Sequence, residues 1–205
     1  TIDVFYNAYY KDIFTSKKVV TVENWINNIY KVKYNNDSLS TGIYSENNII
    51  QDYITLVIDN EGKYKLNINS YIGRNILDSY AEYNNISVQI KQIDSYMDYQ
   101  EYTYVITNKS ENTILLDDGT NINSLYIIDD NNITYSAYTH EISEANLKLA
   151  QGETKKIKIK YYSKFSSEKE IVKAVFSRIL LNYEKYENLI NKNYYNEYGK
   201  IEVTI

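Results

Sequence analysis

Apolar and polar residues alternate over short stretches through most of the chain after residue 85. Ile86, Val88 and Ile90 fall on one parity, and so do Tyr102, Tyr104 and Ile106 before the turn Asn108-Lys109-Ser110. Ile157, Ile159 and Tyr161 repeat the pattern, and Ile201, Val203 and Ile205 close the sequence with it. A period of two places one set of side chains on one face of a strand, so each stretch predicts a half-buried strand. Residues 113–116 (TILL), 124–128 (SLYII) and 133–138 (ITYSAY) are short apolar runs set off by Asp117-Asp118-Gly119 and Asp129-Asp130-Asn131-Asn132. Asp, Asn and Gly favour turns because they bond their own backbone or tolerate positive φ. Short strands with turn signals at roughly ten-residue spacing predict a β-sandwich over 86–205. Tyr183, Tyr186, Leu189 and Ile190 break the pattern with helical spacing and predict a short helix before the last strand.

The first part has a different pattern. Ile2, Phe5, Tyr6, Tyr9, Ile13 and Phe14 lie near helical spacing and predict an amphipathic helix over 2–14. Trp25, Ile26, Ile29 and Tyr30 form a second such stripe after Thr21, which predicts another short helix. Polar residues at 35–42 read as a turn region. Residues 49–58 and 63–71 then predict a β-hairpin across Asn60-Glu61-Gly62. The polar segment 73–85 reads as a linker or short helix and as the boundary between two domains. The expected fold class is therefore mainly β: a β-sandwich at 86–205 preceded by a small α+β domain at 1–82.

Composition sharpens this picture in a few places. The chain has 205 residues, a hydrophobic share of 43% and a net charge of -5. That share suits a packed core. No basic face offers the electrostatic footprint of nucleic-acid binding, and no polybasic run suits anionic lipid. No apolar stretch of about 18 residues is present to span a bilayer as a helix. There are 25 Tyr and no Pro, and Asn, Ile and Lys are abundant, as AT-rich codons favour. Tyr also suits a pleated surface with one wet face. With no Cys, disulfides, thiolate metal sites and a Cys nucleophile are excluded. The sequence starts at Thr1, which is the expectation for a chain whose signal peptide or anchor has been removed.

Candidate chemistry is sparse. His140 is the single His, and no G-x-S-x-G motif accompanies it, so it reads as a surface or strand-edge residue. One His without Cys makes no zinc site. The two acidic turns have oxygen ligands of the kind Ca²⁺ takes but no D-x-[DN]-x-[DN]-G loop, and they read as turn formers. If 113–116 and 124–128 pair as a hairpin, these turns fall at its opposite ends. The six Gly are isolated and make no phosphate loop. No Lys–Asn pair is singled out for an isopeptide bond. Two tyrosine groups, Tyr96, Tyr99, Tyr102 and Tyr104, and Tyr194, Tyr195 and Tyr198, suggest an exposed aromatic strip or simply the surface of an amphipathic sheet. No catalytic, cofactor or metal residue is expected, and the chain reads as non-enzymatic.

The stretches NKSENTILL (108–116), NLKLAQGETKKIKIKY (146–161) and VFSRILLNY…GKIEVTI (175–205) resemble immunoglobulin-like domains of exported Firmicute proteins, many of them lipoproteins or membrane-anchored. These motifs describe a scaffold over about half of the chain. The resemblance implies an extracellular or cell-envelope location, an anchor outside this chain and a protein or glycan partner at the cell surface. The first part resembles the cone-shaped α+β fold of nuclear transport factor-like domains. That resemblance implies a ligand site, with Trp25, Tyr30, Tyr53 and Tyr64 as contacts and a small-ligand sensor or carrier as the alternative function. The same four residues equally suit the core of a small domain.

Overall fold

The computed structural model describes residues 20–34, 52–67, 70–119, 124–137, 139 and 142–205. The helix expected over 2–14, the turn region 35–42 and His140 lie outside them. The described residues are mainly β, arranged in antiparallel sheets with few and short helices. The chain divides into two compact units, Thr1–Ile72 and Gly73–Ile205.

In the first unit, β1 (Val20–Ile26), β2 (Ile29–Tyr34), β3 (Asp52–Ile58) and β4 (Tyr64–Leu66) form one sheet in that order. The helix expected around Trp25 and Tyr30 is instead the hairpin β1–β2. Asn27 takes φ of +51° and Ile26 pairs with Ile29, which makes Asn27-Asn28 a two-residue turn. A left-handed residue cannot continue a right-handed helix, whereas Asn tolerates it in a hairpin loop. The hairpin over β3 and β4 is held by Asp59, whose Oδ1 accepts from Glu61 N and Lys63 N, both at 2.9 Å. Gly62 takes φ of +77° there, which an L side chain would resist.

The second unit carries two sheets. One orders β12 (Thr154–Tyr161), β7 (Gln100–Asn108), β6 (Ile86–Tyr96) and β5 (Tyr71–Tyr83). The segment 73–85, expected as a linker or helix, is thus the edge strand β5 and its turn. Asn84 and Asn85 both take positive φ, and an Asn-Asn turn of this kind suits a tight hairpin into β6. The other sheet is built on β13 (Ile171–Leu180), which pairs with β9 (Leu125–Asp129), β14 (Tyr198–Thr204) and, at Leu180, β8 (Ile114–Leu115). β10 (Thr134–Ser136) pairs with β9, and β11 (Lys148–Leu149) with β8. The conditional pairing of 113–116 with 124–128 is therefore not the one formed. β8 and β9 each pair with β13 and with a separate neighbour.

Both sheets contribute to one core. Ile86, Val88, Ile90, Tyr104, Ile159 and Tyr161 meet Leu125, Ile127, Ala174, Phe176, Ile201 and Val203. The Tyr104 and Phe176 rings, one from each sheet, meet edge to face with centroids 5.2 Å apart. Burying each such side chain contributes roughly 1.5–3 kcal/mol. Where the core needs polar groups, they are paired: the fully buried hydroxyls of Tyr104 and Tyr161 lie 2.8 Å apart. Asn108, at the end of β7, is also fully buried. Its Nδ2 donates to Asn112 O, Leu149 O and Ala150 O at 2.8, 3.1 and 3.2 Å, and its Oδ1 accepts from Ser110 N and Oγ. Gly152 N then donates to Asn108 O at 2.7 Å from a turn where Gly152 has φ of +75°. Two of the sequence stretches singled out above thus meet at one clamp.

Candidate functional site

The last connection of the second unit builds a cavity. Asn182 caps α2 (Tyr183–Asn188) by accepting from Lys185 N at 2.9 Å, the usual role of Asn at a helix start. A 3-10 turn follows at Lys192–Tyr194. Lys192 Nζ reaches back to Tyr186 O and Glu187 O at 2.6 and 2.7 Å and occupies carbonyls at the end of α2. The Tyr195 hydroxyl accepts from Asn182 N at 2.8 Å and locks the connection onto the start of the helix. The Tyr186, Tyr195 and Tyr198 rings follow one another edge to face, with centroids 5.4 and 5.1 Å apart. Tyr198 opens β14, where Gly199 allows close approach: a Cβ there would lie 2.8 Å from Leu181 Cδ2.

Arg178 faces this aromatic cluster from β13. The β13–β14 register shifts between Phe176 and Ile179, so Arg178 sits within a β-bulge, a device that re-aims side chains. Its guanidinium lies over the Tyr198 ring at 4.2 Å. Asp118 Oδ2 is 3.8 Å from Arg178 Nη2, and the Asp118 side chain is only 2% exposed. At that distance the pair attracts without a hydrogen bond. Arg178 Nε is buried with no acceptor. Asp118, Arg178, Tyr186, Lys192, Tyr195 and Tyr198 line a cavity of about 250 Å³. Burial, and next the charge of Asp118, hold the Tyr186 hydroxyl above its ordinary pKa; burial does the same at Tyr195.

The remaining acidic groups are engaged differently. Asp129 is buried, and its carboxylate accepts from Ile133 N and Asn131 N at 2.8 and 3.0 Å and from the Tyr135 hydroxyl at 2.8 Å. Burial pushes this carboxyl up, but the hydrogen bonds and Lys169 outweigh it and leave its pKa below the ordinary value. Asp117 Oδ1 accepts from Gly119 N at 3.0 Å and Ser124 Oγ at 2.7 Å. These two carboxylates fix the geometry of their own turns. Asp94 is buried and held by Arg74 Nε at 2.7 Å and Gln92 Nε2 at 2.6 Å. The Tyr183 hydroxyl lies 2.6 Å from Glu144 Oε1 and 2.8 Å from Glu187 Oε1, tying α1 (Glu144–Leu147) to α2. One hydroxyl proton serves only one of these contacts at a time. Among the described residues no group of three or more His, Cys, Asp and Glu side chains is placed to hold a metal ion.

Tyr30 and Tyr64, expected as ligand contacts, do meet edge to face at 5.7 Å, with Tyr64 61% exposed. Trp25 is half-buried within the irregular pairing between Asn24 and Ile26, and Tyr53 pairs with Lys33 on β3. The tyrosine strip expected at 96–104 is not one surface. Tyr102 and Tyr104 are fully buried, while Tyr96 and Tyr99 stack at 4.4 Å beside the β6–β7 turn. The group at 194–198 splits as well, with Tyr194 77% exposed and Tyr195 buried. Sequence reasoning passed over Arg178. A signal was available: Arg74 and Arg178 are the only arginines in a chain with 22 basic residues, and each faces a buried aspartate. A planar guanidinium suits such sites better than a Lys ammonium. No family model matches the chain, nor does any curated protein or solved structure.

Proposed function

We propose that this chain is a non-enzymatic binding module of the bacterial cell envelope or its exterior, and that residues 86–205 form an immunoglobulin-like β-sandwich. The sandwich reading is supported by two antiparallel sheets over one core and by the clamp between Asn108 and Gly152. The exported location rests on the resemblance of the same stretches to domains of exported Firmicute proteins. The observation that carries the binding role is the cavity at Arg178. There a buried donor lacks an acceptor and stands beside a buried carboxylate and three tyrosines. Native proteins pair almost all buried polar groups, so an open one marks a place for a ligand or water. A non-enzymatic role agrees with carboxylates such as Asp94, Asp117 and Asp129, which are held by fixed hydrogen bonds. The partner class is a glycan, which suits tyrosine rings interleaved with charged groups.

The test is retention of the full chain on immobilised wall polysaccharide purified from a Gram-positive bacterium. Retention that excess free polysaccharide displaces is the expected result. Passage without retention, or steady release of new reducing ends from the polysaccharide, would overturn the reading.

A further inference from the structure

We infer that β5 is an interface strand, whose outer edge pairs antiparallel, in two-fold register, with β5 of a second copy of this chain. None of residues 72–80 lines the cavity at Arg178. The sheet β12-β7-β6-β5 has two edges, and they are built differently. β12 carries Lys155, Lys156, Lys158 and Lys160 within eight residues, and the bridge between Ala137 and Tyr161 covers its end. Lysines on an edge and a covering segment both discourage a further strand. Among the described residues, β5 has neither device. Its 13 residues contain no Lys and no Pro, and no described strand pairs with its outer side. Strands typically run about 5–6 residues, so this edge offers an unusually long row of backbone donors and acceptors. Apolar side chains stand along it, with Ile76 72% and Tyr80 55% exposed.

The order of residues along β5 selects the occupant. Leu77 and Ala81 pack on the core, so alternation puts Arg74, Ile76, Asp78, Tyr80 and Glu82 on the other face of the sheet. In an antiparallel pair, opposed residues share a face and interact directly. A two-fold register centred on Ile76 sets Ile76 against Ile76 of the second copy, Arg74 against its Asp78, and Ile72 against its Tyr80. Each opposed charge then has the opposite sign, and each apolar side chain meets another. Centring on Arg74 or Asp78 opposes like charges at the axis, and centring on Tyr80 sets Asp78 against Glu82. Centring on Asn75, Leu77 or Ser79 sets Ile76 against a charge. Like charges directly opposed destabilise a pair. Arg74 holds Asp94 and Lys91 holds Asp78, at 2.7 Å each, so the new pairs extend charge rows that the sheet has in place. One strand pair buries little area, so the dimer is weak and forms at roughly 10 µM to 1 mM chain.

The full chain is followed by analytical ultracentrifugation across that concentration range, and by amide hydrogen exchange at its two ends. A monomer–dimer equilibrium is expected, with exchange at 72–80 slowed at high concentration and exchange in β12 unchanged. Ile76→Lys places two ammonium groups together at the axis of the dimer, at an exposed position, and should weaken it by about tenfold or more. The chain has no Cys, so single cysteines report the register. Opposed Cα atoms lie about 4.5–5.5 Å apart, within disulfide reach. Ile76→Cys should therefore cross-link under diamide much faster than Asp78→Cys or Glu82→Cys. A chain that stays monomeric leaves the edge to another kind of strand and overturns the inference. So does a dimer without slowed exchange at 72–80, or one that cross-links fastest at Asp78→Cys or Glu82→Cys. Undiminished association of a folded Ile76→Lys chain overturns it too. If that variant does not fold, wild-type exchange and the cysteine ranking decide alone.

Discussion

The acidic turns at 129–132 and 117–119 have nearly the same composition and end in different states. At 129–132, Asp129 turns inward and takes three donors, two of them from its own turn, while Asp130 Oδ1 accepts at 3.2 Å from Asn131 on the exposed side. At 117–119, Asp117 accepts from Gly119 N and Ser124 Oγ and holds the turn. Asp118 is carried to Arg178, some sixty positions later in the chain, and neither needs the other for a hydrogen bond. The first arrangement spends its polar groups on shape. The second leaves a buried donor of Arg178 without an acceptor, in a residue that lines a cavity. The difference separates scaffold from site within one unit, and it is made by tertiary placement, since the turns themselves read alike.

Three measurements would break or sharpen that contrast. The largest effect is expected in alkali. Burial holds the Tyr102, Tyr104 and Tyr161 hydroxyls well above their ordinary pKa, with the neighbouring tyrosine hydroxyls adding to it at Tyr102 and Tyr104. A raised folded-state value means that stability is intact below the unfolded value of about 10 and falls as pH rises through and beyond it. With three such groups, equilibrium unfolding should show a steep loss above about pH 10. A flat profile to higher pH would show that these hydroxyls are not closed off from water.

Asn108→Ala is next. It removes a fully buried amide with partners on three sides and leaves carbonyls of Leu149 and Ala150 unserved. About 2–4 kcal/mol of unfolding free energy should be lost, read by urea titration. Retention of the folded fraction on wall polysaccharide should not change, and a change there would undo the division between scaffold and site.

The smallest effect is that of Asp129→Asn. Because the Asp129 pKa is lowered, its contribution is present above the ordinary aspartate value of about 3.9 and fades as pH falls through the folded value. The variant should be less stable than wild type near neutrality, and the two stability curves should converge in acid. Parallel curves down to low pH would mean that this carboxylate is not held as described.

What the sequence made legible follows from these physical differences. Alternation over Ile86–Ile90 and Tyr102–Ile106 reports strands with one buried face; β6 buries Ile86, Val88 and Ile90 alternately, and β7 alternates from Tyr104 to Asn108, with Thr103 buried as well. β13 escaped that test. Ala174, Val175 and Phe176 are all buried, and a central strand covered on both faces has no alternation to display. β5 escaped for the opposite reason, since Arg74, Ile76, Asp78, Tyr80 and Glu82 present a mixed, exposed face. Around Trp25, an apolar stripe imitated a helix because the hairpin reverses at Asn27-Asn28. At the site, Asp118 and Tyr195–Tyr198 had been noticed for other reasons. Their meeting with Arg178 depends on a bulge in β13, which no local pattern encodes.

The pairing of β7 with β12 has a kinetic side. Tyr104 and Tyr161, whose hydroxyls close the core, are 57 positions apart, and the registers Thr107↔Thr154 and Glu101↔Lys160 bind the same distant segments. Loop-closure entropy must be met before such contacts return any energy, which places sheets of this kind among slow folders, with times of roughly milliseconds to seconds. The hairpin of β6 and β7 closes a far shorter loop. It is therefore the natural nucleus, and its outer edge must wait, unpaired, until β12 arrives.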